Sequence, residues 1–467
     1  MTKQYEDKPE WAKRLGLLGL IVFLALLSIG TSRVANGQQT TSQKGIRQRS
    51  QNEAVLLTSD QKEADQIAVS LLNDPEIVAA RNQQLEKWKN MPSYQLDDGK
   101  STLDAALDAG LLYSVRIAAN YDPARPTVIW NPSPAYSFKD LSVPDSRFFG
   151  DGADRVYRFI PATPDYSYEI RGKRNARPSR TDFSFETAGS VGGASTSTLW
   201  GTAIGIAADG TFTITADSTP ANGRRNHLTL IPGTNVIYIR DTTTDWNAQL
   251  PNYLEVKRVD GKPTPNARTR VVIKQQAVAL INSLFSANNQ FAEGTFRRPL
   301  NSFTFQVRSQ SDGLPGNGGA ISPFSLADDE ALVVTIDPSS AQYAGFQTLD
   351  PWTRSVQYLD NTSSLSQNQI KANSDGTYTY IISAKDPGYY NWLSTGGLHR
   401  GIALLRLESF TRAVDGNNVI RFVKVVKLSD LASALPAGSV QVTAAERSAQ
   451  LFERRAGWQQ RLESPLR

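Results

Sequence analysis

Histidine is scarce in this sequence, and the two histidines limit which acid–base chemistry its side chains can perform. A Ser-His-Asp or histidine–metal mechanism would have to use His227 or His399. His227 follows Asn226, and the strand predicted after it ends near Asp241, with Asp245 close behind. Because a carboxylate can orient an imidazole, His227 with Asp241 or Asp245 is the candidate catalytic set of a hydrolase-type enzyme. His399 stands in a glycine-flanked turn, where we expect it to be solvated.

Signatures of other enzyme classes are missing. The sequence has no GxSxG elbow, HExxH helix, P-loop or GxGxxG after a strand, and it has no cysteine for a disulfide, a thiolate metal site or a nucleophile. Asp151, Asp154 and the run 328–330 place carboxylates in loops without the spacing of a known calcium loop, so we expect solvated turns there. A glycosidase carboxylate pair stays open, because such pairs leave no fixed spacing. We expect neither a cofactor nor a metal ion.

Three short sequence motifs occur twice along the chain, and the distance between the two copies is nearly the same for all three. Each copy has an Asp-Gly-Thr-aromatic-Thr segment, then an Asn-ring-Leu segment, then an arginine in an apolar run. The three motifs begin at Asp209, Asn226 and Arg240 in the first copy and at Asp375, Asn391 and Arg406 in the second. The offsets, 375 − 209, 391 − 226 and 406 − 240, are 166, 165 and 166 residues. Such regular spacing indicates an internal duplication.

In each copy the Asn-ring-Leu segment stands between a loop and a predicted strand. Its asparagine can hydrogen-bond the loop backbone, and its ring, His227 or Trp392, can pack over the edge of a sheet. The arginine of the next strand can stack on that ring or bind a carboxylate. Repetition favours a role in the fold, because a catalytic site seldom needs two copies. The candidate binding residues are Asn226, Arg240, Trp246, Asn391, Trp392 and Arg406.

Short segments with alternating apolar residues occupy much of the chain. Tyr157 with Phe159 and Phe303 with Phe305 are examples, in runs separated by Gly, Pro, Asn and Asp. Closely spaced strands of this kind are typical of sandwiches and jelly rolls. We therefore predict a mainly β protein with helical additions. It has two tandem, duplicated, antiparallel β-sandwich domains that are jelly-roll-like, with N-terminal helices, a connecting helix and a C-terminal helix that starts at a capping box, Thr443–Glu446.

An apolar N-terminal segment predicts export. Leu15–Gly30 carries no charge and follows Lys13-Arg14. It fits a cleaved signal peptide or, against the roughly 20 residues that a bilayer needs, a slightly short uncleaved anchor. Both alternatives place the rest of the chain outside the cytoplasm, either membrane-anchored facing outward or periplasmic or secreted.

The predicted organisation has seven parts. They are a signal peptide or membrane anchor (1–37), a flexible tether (38–57), a helical N-terminal region (58–126), a first β-sandwich (127–265), a connecting helix and linker (266–298), a second β-sandwich (299–430) and a C-terminal tail with a helix (431–467).

The net charge of +5 and the pI of 9.1 are weak evidence for an anionic partner. The densest basic run, 171–180, has no interleaved aromatic residue, so we expect no nucleic-acid partner.

The motifs resemble those of a known family. The segments are Asp122–Pro126, Pro144–Arg147, Asp154–Arg158, Asn226–Leu228, Arg240–Thr242 and Asp245-Trp246 in the first half, and Asp375–Thr379, Pro387-Gly388, Asn391–Leu393 and Arg406 in the second. Over residues 100–430 the chain resembles bacterial proteins of the domain-of-unknown-function 1214 family with a related β-rich domain upstream. The resemblance implies paired β-sandwich domains and assigns no biochemical activity.

Three functional hypotheses follow. The first is a binding or scaffold module that offers a cleft between the two sandwiches to a glycan or small ligand. The second is the hydrolase-type enzyme centred on His227. The third is a purely structural component of the bacterial envelope. The expected partners are therefore a glycan or small ligand and, if the N-terminal segment is retained, the membrane.

Overall fold

The computed structural model describes residues 54–138, 140–174, 183–191, 193–308 and 316–464 of the chain. The predicted signal peptide or anchor lies outside these ranges, as do most of the tether and residues 175–180 of the basic run. Within the ranges, no helix combines the length and the apolar character that a membrane span requires.

Six α-helices lie in the described ranges. They are α1 (Ser59–Leu71), α2 (Pro75–Lys89), α3 (Asp97–Ala119), α4 (Arg270–Phe296), α5 (Leu431–Ala434) and α6 (Ala444–Glu463). Side chains accept backbone hydrogen bonds at several of their first turns, as Thr58 does from Gln61 N at α1 and Asp74 does at α2. The capping box predicted for the C-terminal helix is confirmed. Thr443 Oγ1 accepts from Glu446 N at 3.2 Å, and Thr443 N donates to Glu446 Oε2 at 2.7 Å.

The first sandwich consists of a five-stranded and a four-stranded sheet. Its strands, with a separate hairpin β2–β3, are β1 (Ile129–Trp130), β2 (Tyr136–Phe138), β3 (Leu141–Val143), β4 (Arg155–Pro161), β5 (Tyr168–Lys173), β6 (Phe183–Ala188), β7 (Ser195–Trp200), β8 (Thr211–Asp217), β9 (His227–Thr229), β10 (Val236–Thr242) and β11 (Tyr253–Arg258). The five-stranded order is β1-β4-β10-β6-β7 and the four-stranded order is β11-β5-β8-β9. Apolar residues of both sheets, such as Ile170, Phe185 and Ile239, form the core between them.

The second sandwich is built in the same way. Its strands are β12 (Gln306–Val307), β13 (Gly318–Ser325), β14 (Glu330–Ile336), β15 (Ala341–Leu349), β16 (Ser364–Ser366), β17 (Tyr378–Ser383), β18 (Trp392–Ser394), β19 (Arg400–Phe410) and β20 (Ile420–Lys427). The five-stranded order is β12-β13-β19-β15-β16 and the four-stranded order is β18-β17-β14-β20. Val334, Phe346 and Leu405 are among the residues of its core.

The two sandwiches match strand for strand. When β4–β11 are paired in chain order with β13–β20, and β1 with β12, each strand has the same neighbours in both sandwiches. The mainly β fold with a duplicated sandwich is therefore confirmed, and the duplication is visible in the topology. Local conformations repeat as well, since Gly210 and Gly376 in the two Asp-Gly turns both have a φ of +83°, which glycine adopts without strain.

One strand pair in each sandwich differs from the antiparallel prediction. β8 pairs with β9, and β17 with β18, in parallel. The asparagine of each copy holds this arrangement. Asn226 Nδ2 donates to the carbonyls of Gly205 and Thr213, and its Oδ1 accepts from Gly205 N, at 2.8–3.0 Å. Asn391 makes the same three bonds in the second copy, at 2.8–2.9 Å, which confirms the predicted tie to the loop backbone.

The helices form a further core with the outward surfaces of the sandwiches. Trp88 of α2 stacks on Trp352, with ring centroids 4.4 Å apart, and Trp352 Nε1 donates to the carbonyl of Gly99 in α3. Phe285 of α4 packs against Phe148, which precedes β4. The described residues accordingly belong to one compact unit.

Replacing Asn226 or Asn391 by alanine should destabilise the protein by similar amounts, because each change removes three hydrogen bonds to loop backbone. At about 0.5–1.5 kcal/mol for each bond, we expect a loss of about 2–4 kcal/mol in the free energy of unfolding. Urea unfolding measures this loss, and Asn417→Ala is the control because Asn417 is exposed in a short turn. A loss in only one of the two variants would contradict the equivalence of the copies.

Candidate functional site

Side chains from the outward faces of the two five-stranded sheets meet between the sandwiches. β10 buries Ile237 and Ile239 in the first core, which turns Arg240 outward because strand residues alternate between faces. In the same way, β19 turns Arg406 outward. Five outward residues form what we call the inter-sandwich cluster: Arg155 and Tyr157 of β4, Tyr238 and Arg240 of β10, and Arg406 of β19.

The first carboxylate beside this cluster belongs to the first sandwich. Arg240 forms an ion pair with Glu186 of β6, which also accepts hydrogen bonds from Ser184 at 3.1 Å and Ser195 at 2.5 Å. The Glu186 side chain is 2% exposed, whereas that of Arg240 is 23% exposed. The ion pair therefore contacts solvent through its arginine.

The second carboxylate joins the two sandwiches. Arg155 forms an ion pair with Glu408 of β19, which also accepts from Thr242 Oγ1 at 3.2 Å. Arg406 donates to the carbonyl of Gly150, and no described carboxylate is paired with it. Within the described ranges, the three guanidiniums of the cluster therefore pair with two carboxylates, and Arg406 pairs with neither of them.

Two stacked tyrosines lie among these arginines. The rings of Tyr157 and Tyr238 are parallel within 4°, with centroids 5.5 Å apart, and Arg155 Nη1 donates to the Tyr157 hydroxyl at 3.2 Å. Burial by itself raises the pKa of Tyr157, but the guanidiniums of Arg155, Arg406 and Arg240 outweigh it, so this pKa is lowered. Burial and the neighbouring Tyr157 raise the pKa of Tyr238 well above its ordinary value.

The arginines of the cluster repel one another. Burial is the main cause that lowers the pKa of Arg240, to about 9, and repulsion from Arg155, Arg308 and Arg406 adds to it. Burial and the charge of Arg155 likewise lower the pKa of Arg406. An added anion would favour the charged form of each guanidinium and would relieve this repulsion.

The cluster is partly accessible to solvent. Tyr238, Arg240 and Arg406 are half-buried. On its own sheet Arg406 is flanked by Gly319 and Gly345, neither of which has a side chain. Tyr343 fills the space beside Gly345, where an added Cβ atom would collide with its hydroxyl, so an anion in solvent can contact only the exposed parts of Arg240 and Arg406.

Asp151 and Asp154 do not lie in solvated turns, so that prediction is wrong. Both are buried between the sandwiches. Ser355 donates to Asp151 from its backbone N at 2.9 Å and from its hydroxyl at 2.6 Å, while Asp154 accepts from Trp246 Nε1 at 2.8 Å and from the Tyr343 hydroxyl at 2.9 Å. Burial raises the pKa of both groups, that of Asp151 to about 6. The sequence of a loop does not show what the loop packs against.

His227 begins β9, and its side chain is fully buried. Thr215 Oγ1 lies 2.8 Å from Nδ1, while the Thr219 carbonyl oxygen and Arg224 Nη2 lie 2.9 and 3.0 Å from Nε2. Both ring nitrogens are therefore engaged by groups of the same sandwich.

The structure brings neither predicted carboxylate to this imidazole. Asp241 forms a buried ion pair with Arg158 on the inner side of the first sandwich. Asp245 accepts two backbone hydrogen bonds, at 3.0 and 3.1 Å, from the turn that follows it. The carboxylate within ion-pair distance of His227 is that of Asp217, 3.7 Å from Nε2.

The predicted stacking of the repeated arginines on the rings of the Asn-ring-Leu segments is wrong. Arg240 lies over Tyr238, its neighbour on β10, with the guanidinium carbon 4.5 Å from the ring centroid. Arg406 is directed to the Gly150 carbonyl. The arginines stand on the five-stranded sheets, whereas the rings begin strands of the four-stranded sheets. The alternative prediction, a carboxylate partner, is confirmed for Arg240.

Trp246 and Trp392, two predicted binding residues, are anchors for the C-terminal helix. Arg454 and Arg461 of α6 lie over the Trp246 ring, 4.5 and 4.8 Å from its centroid, and Arg447 lies 5.1 Å from the Trp392 ring. The three arginines recur at every seventh position, so they share one face of α6, and all three are buried.

The same helix contacts both sandwiches. Arg454 donates to the carbonyl and hydroxyl of Ser364 in β16, both at 2.9 Å. Arg461 donates to the carbonyl of Ala153 at 3.0 Å and to Thr243 Oγ1 at 2.7 Å in the first sandwich. Gly457 permits this approach, because a Cβ atom there would lie 2.8 Å from a Trp246 side-chain atom. The helix therefore ties the two sandwiches together.

The remaining charged candidates form a surface network. His399 Nε2 lies 2.7 Å from Asp328 Oδ1, and Lys385 pairs with the same carboxylate. No three histidine or carboxylate side chains of the described residues come together as a metal site requires. Two surface depressions, of about 600 and 650 Å³, lie along β20 with α5 and on α2, and neither includes a residue of the inter-sandwich cluster.

Sequence reasoning identified two members of the cluster and missed the other three. Arg240 and Arg406 were found through the repeat. Arg155 and Tyr157 lie in the motif segment Asp154–Arg158 but were not selected as site residues, and Tyr238 lies in no motif. The sequence signal that could have found Arg155 and Tyr157 is the alternation of side chains along a strand. The two residues are two positions apart, so they lie on one face of β4. Both faces of that strand are buried, so alternation alone does not show which face lies in the sandwich core.

Among solved structures, the chain is similar to an uncharacterised protein from Burkholderia cenocepacia. The two are 23% identical, the match covers 78% of this chain and 99% of that one, and the TM-score is 0.63, which supports a shared fold and nothing beyond it. A protein from Vibrio parahaemolyticus matches at 11% identity over 70% of this chain and 99% of its own, with a TM-score of 0.36, which is too low to establish a shared fold. No family model and no curated protein matches the chain.

Replacing Asp151 by asparagine should change how stability depends on pH. The folded-state pKa is raised from 3.8 to about 6, so wild-type stability falls as the pH rises through this window. At about 1.4 kcal/mol per pKa unit, the free energy of unfolding of wild type should drop by about 3 kcal/mol relative to Asp151→Asn between pH 3.5 and pH 7. Urea unfolding across this range measures the difference, and parallel curves would contradict the raised pKa.

Replacing Trp392 by alanine should destabilise the protein and loosen the start of α6. The half-buried ring packs under the Arg447 guanidinium and donates to the Ser383 carbonyl at 3.1 Å, so we expect a loss of about 2–4 kcal/mol. Urea unfolding measures the loss, and amide hydrogen exchange measures protection in α6. Phe452→Ala is the control, because this α6 side chain is exposed. Unchanged stability and protection would show that the ring does not hold the helix.

Proposed function

We propose that this protein is an exported bacterial envelope protein that binds a carboxylate-bearing glycan or small ligand between its two sandwiches. One observation carries the proposal: Arg155, Arg240 and Arg406 converge there, and among the described residues two carboxylates pair with these three guanidiniums. Two of these arginines are the repeated residues of the duplication, so both copies contribute to the same site.

The chemistry of the lining favours a carboxylate over an apolar ligand. A guanidinium offers parallel N–H donors that match the two oxygens of a carboxylate. Arg406 has its one described contact with a backbone carbonyl, which a ligand oxygen can replace without leaving a buried protein charge unpaired. Because the cluster is partly buried, an ion pair formed there is screened less than one on the open surface.

The export component rests on the N-terminal sequence. Leu15–Gly30 has the apolar composition of a signal peptide or anchor, and it follows the basic pair Lys13-Arg14. Membership of the domain-of-unknown-function 1214 family belongs to the same proposal, and its support is the ordered set of motifs in both halves.

The other two hypotheses have less support. The contacts of His227, Asp241 and Asp245 offer the hydrolase-type enzyme no assembled catalytic set. A purely structural envelope component is the alternative that a failure of ligand binding would favour.

Isothermal titration of the full-length protein with uronate trisaccharides tests the proposal. Galacturonate, glucuronate and mannuronate trimers are compared with their uncharged methyl esters, and we expect binding of at least one acid form and none of the esters. Arg406→Gln should weaken that binding about 10- to 100-fold, because a hydrogen bond to a charged group contributes about 1.5–3 kcal/mol. Arg421→Gln, which changes an exposed arginine of the same sandwich, is the matched control and should bind as wild type does. Absence of binding by wild type would refute the proposal.

A further inference from the structure

We propose that Trp200 is a platform on which a sugar ring of a uronide chain stacks while Arg240 binds the carboxylate of the neighbouring sugar unit. The inference rests on the proposed function and deepens it. It names the surface along which the ligand extends from the inter-sandwich cluster, and it makes that ligand an oligosaccharide rather than a single acid.

The register of the first five-stranded sheet places Trp200 in line with Arg240. Arg240 of β10 pairs with Ser184 of β6, and Ser184 pairs with Trp200 of β7. Leu199 belongs to the core of the first sandwich, so its neighbour Trp200 lies on the outward face, as Arg240 does. Arg240, Ser184 and Trp200 therefore form one row across three neighbouring strands.

The two ends of this row are far enough apart to contact different sugar units. Neighbouring strands lie about 4.8 Å apart, so the backbones of Arg240 and Trp200 are separated by about 10 Å. Ser184 between them is buried and has a short side chain, which donates to Glu186 at 3.1 Å. The larger side chains of Arg240 and Trp200 extend farther from the sheet than that of Ser184. A uronide with one carboxylate on Arg240 can therefore place its next ring over Trp200.

Trp200 also lies where the sheet is accessible. β7 is an edge strand of the sheet, and Trp200 is half-buried, whereas every residue of the neighbouring β6 is buried. Arg240 contacts solvent as well, with 23% of its side chain exposed. A chain lying on this edge contacts both residues and leaves its two ends free in solvent, so it needs no enclosed cavity.

The surroundings of Trp200 distinguish it from the other tryptophans. Six further tryptophans lie in the described ranges, and each of their rings packs against another ring or a guanidinium: Trp88, Trp130, Trp246, Trp352, Trp392 and Trp458. In the same part of the chain, the Trp200 indole makes no hydrogen bond and packs on no other aromatic ring. A large apolar ring that is half-exposed and without such a partner is available to a ligand.

The chemistry of the pair matches a uronide. A pyranose ring has a face of C–H bonds that packs on the flat ring of an aromatic side chain. Ligand sites combine aromatic surface of this kind with a few polar groups that fix orientation. Trp200 supplies the aromatic surface and Arg240 supplies the charge, and every unit of a uronide chain carries both complements.

Titration calorimetry of the full-length protein with uronides of two lengths tests the platform. Galacturonate, glucuronate and mannuronate trimers are compared with the corresponding monosaccharides. We expect wild type to bind at least one trimer about 10- to 30-fold more tightly than its monosaccharide, which is the contribution of an aromatic anchor at an interface. Trp200→Ala should lose this gain and bind the monosaccharide as wild type does. Because the arginine contact is then intact, misfolding cannot produce the same result.

Two further variants serve as controls. Trp200→Phe keeps an aromatic face and should retain most of the affinity for the trimer. Phe422→Ala removes an exposed ring from β20, an edge strand of the second sandwich, and should bind the trimer as wild type does.

The outcomes separate the two proposals. Equal affinity of wild type for trimer and monosaccharide, or undiminished trimer binding by Trp200→Ala, would overturn the platform and leave the arginine site intact. Absence of binding to all three trimers would overturn both proposals.

Discussion

Burial of charged strand residues between two sandwiches is the constraint on which the site depends. The outward face of a sheet in an isolated sandwich is solvated, so arginine and glutamate are ordinary there. In this protein the second sandwich covers that face, and the charges of Arg155 and Glu408 are removed from water. A buried charge is tolerated only when it is paired, and these two residues pair with each other across the sandwiches. The excess of arginine that remains is what makes the cluster a candidate for an anionic ligand.

The duplication and the C-terminal helix explain how this apposition is maintained. Each sandwich closes its own core, and the asparagine of each copy fixes one parallel strand pair in it. Helix α6 then crosses from one sandwich to the other and inserts three arginines against tryptophan rings. Because the helix holds both sandwiches, the outward faces of β4, β10 and β19 stay in contact. The inter-sandwich cluster therefore depends on the packing of the two sandwiches against each other.

Much of the fold could be predicted from local pattern, and part of the site could be predicted from repetition. The alternation in Tyr157 and Phe159 indicates a strand, and Thr443 with Glu446 indicates a helix start, because both signals act over a few residues. Arg240 and Arg406 were selected because they repeat. The carboxylates of the cluster were not, since Glu186 of β6 pairs with Arg240, Glu408 of β19 pairs with Arg155, and no motif links these residues. The heptad spacing of Arg447, Arg454 and Arg461 was a further available signal.

The sequence by itself determined the two sandwiches, their relation by duplication, and the asparagine bonds that recur in both. These features depend on hydrogen bonds and periodicity within one copy. Only the tertiary structure decided that Asp151 is buried, that α6 covers Trp246, and that arginines of both copies converge on Tyr157. The physical reason is that a strand with period two shows which side chains share a face. It carries no information about which surface that face will pack against.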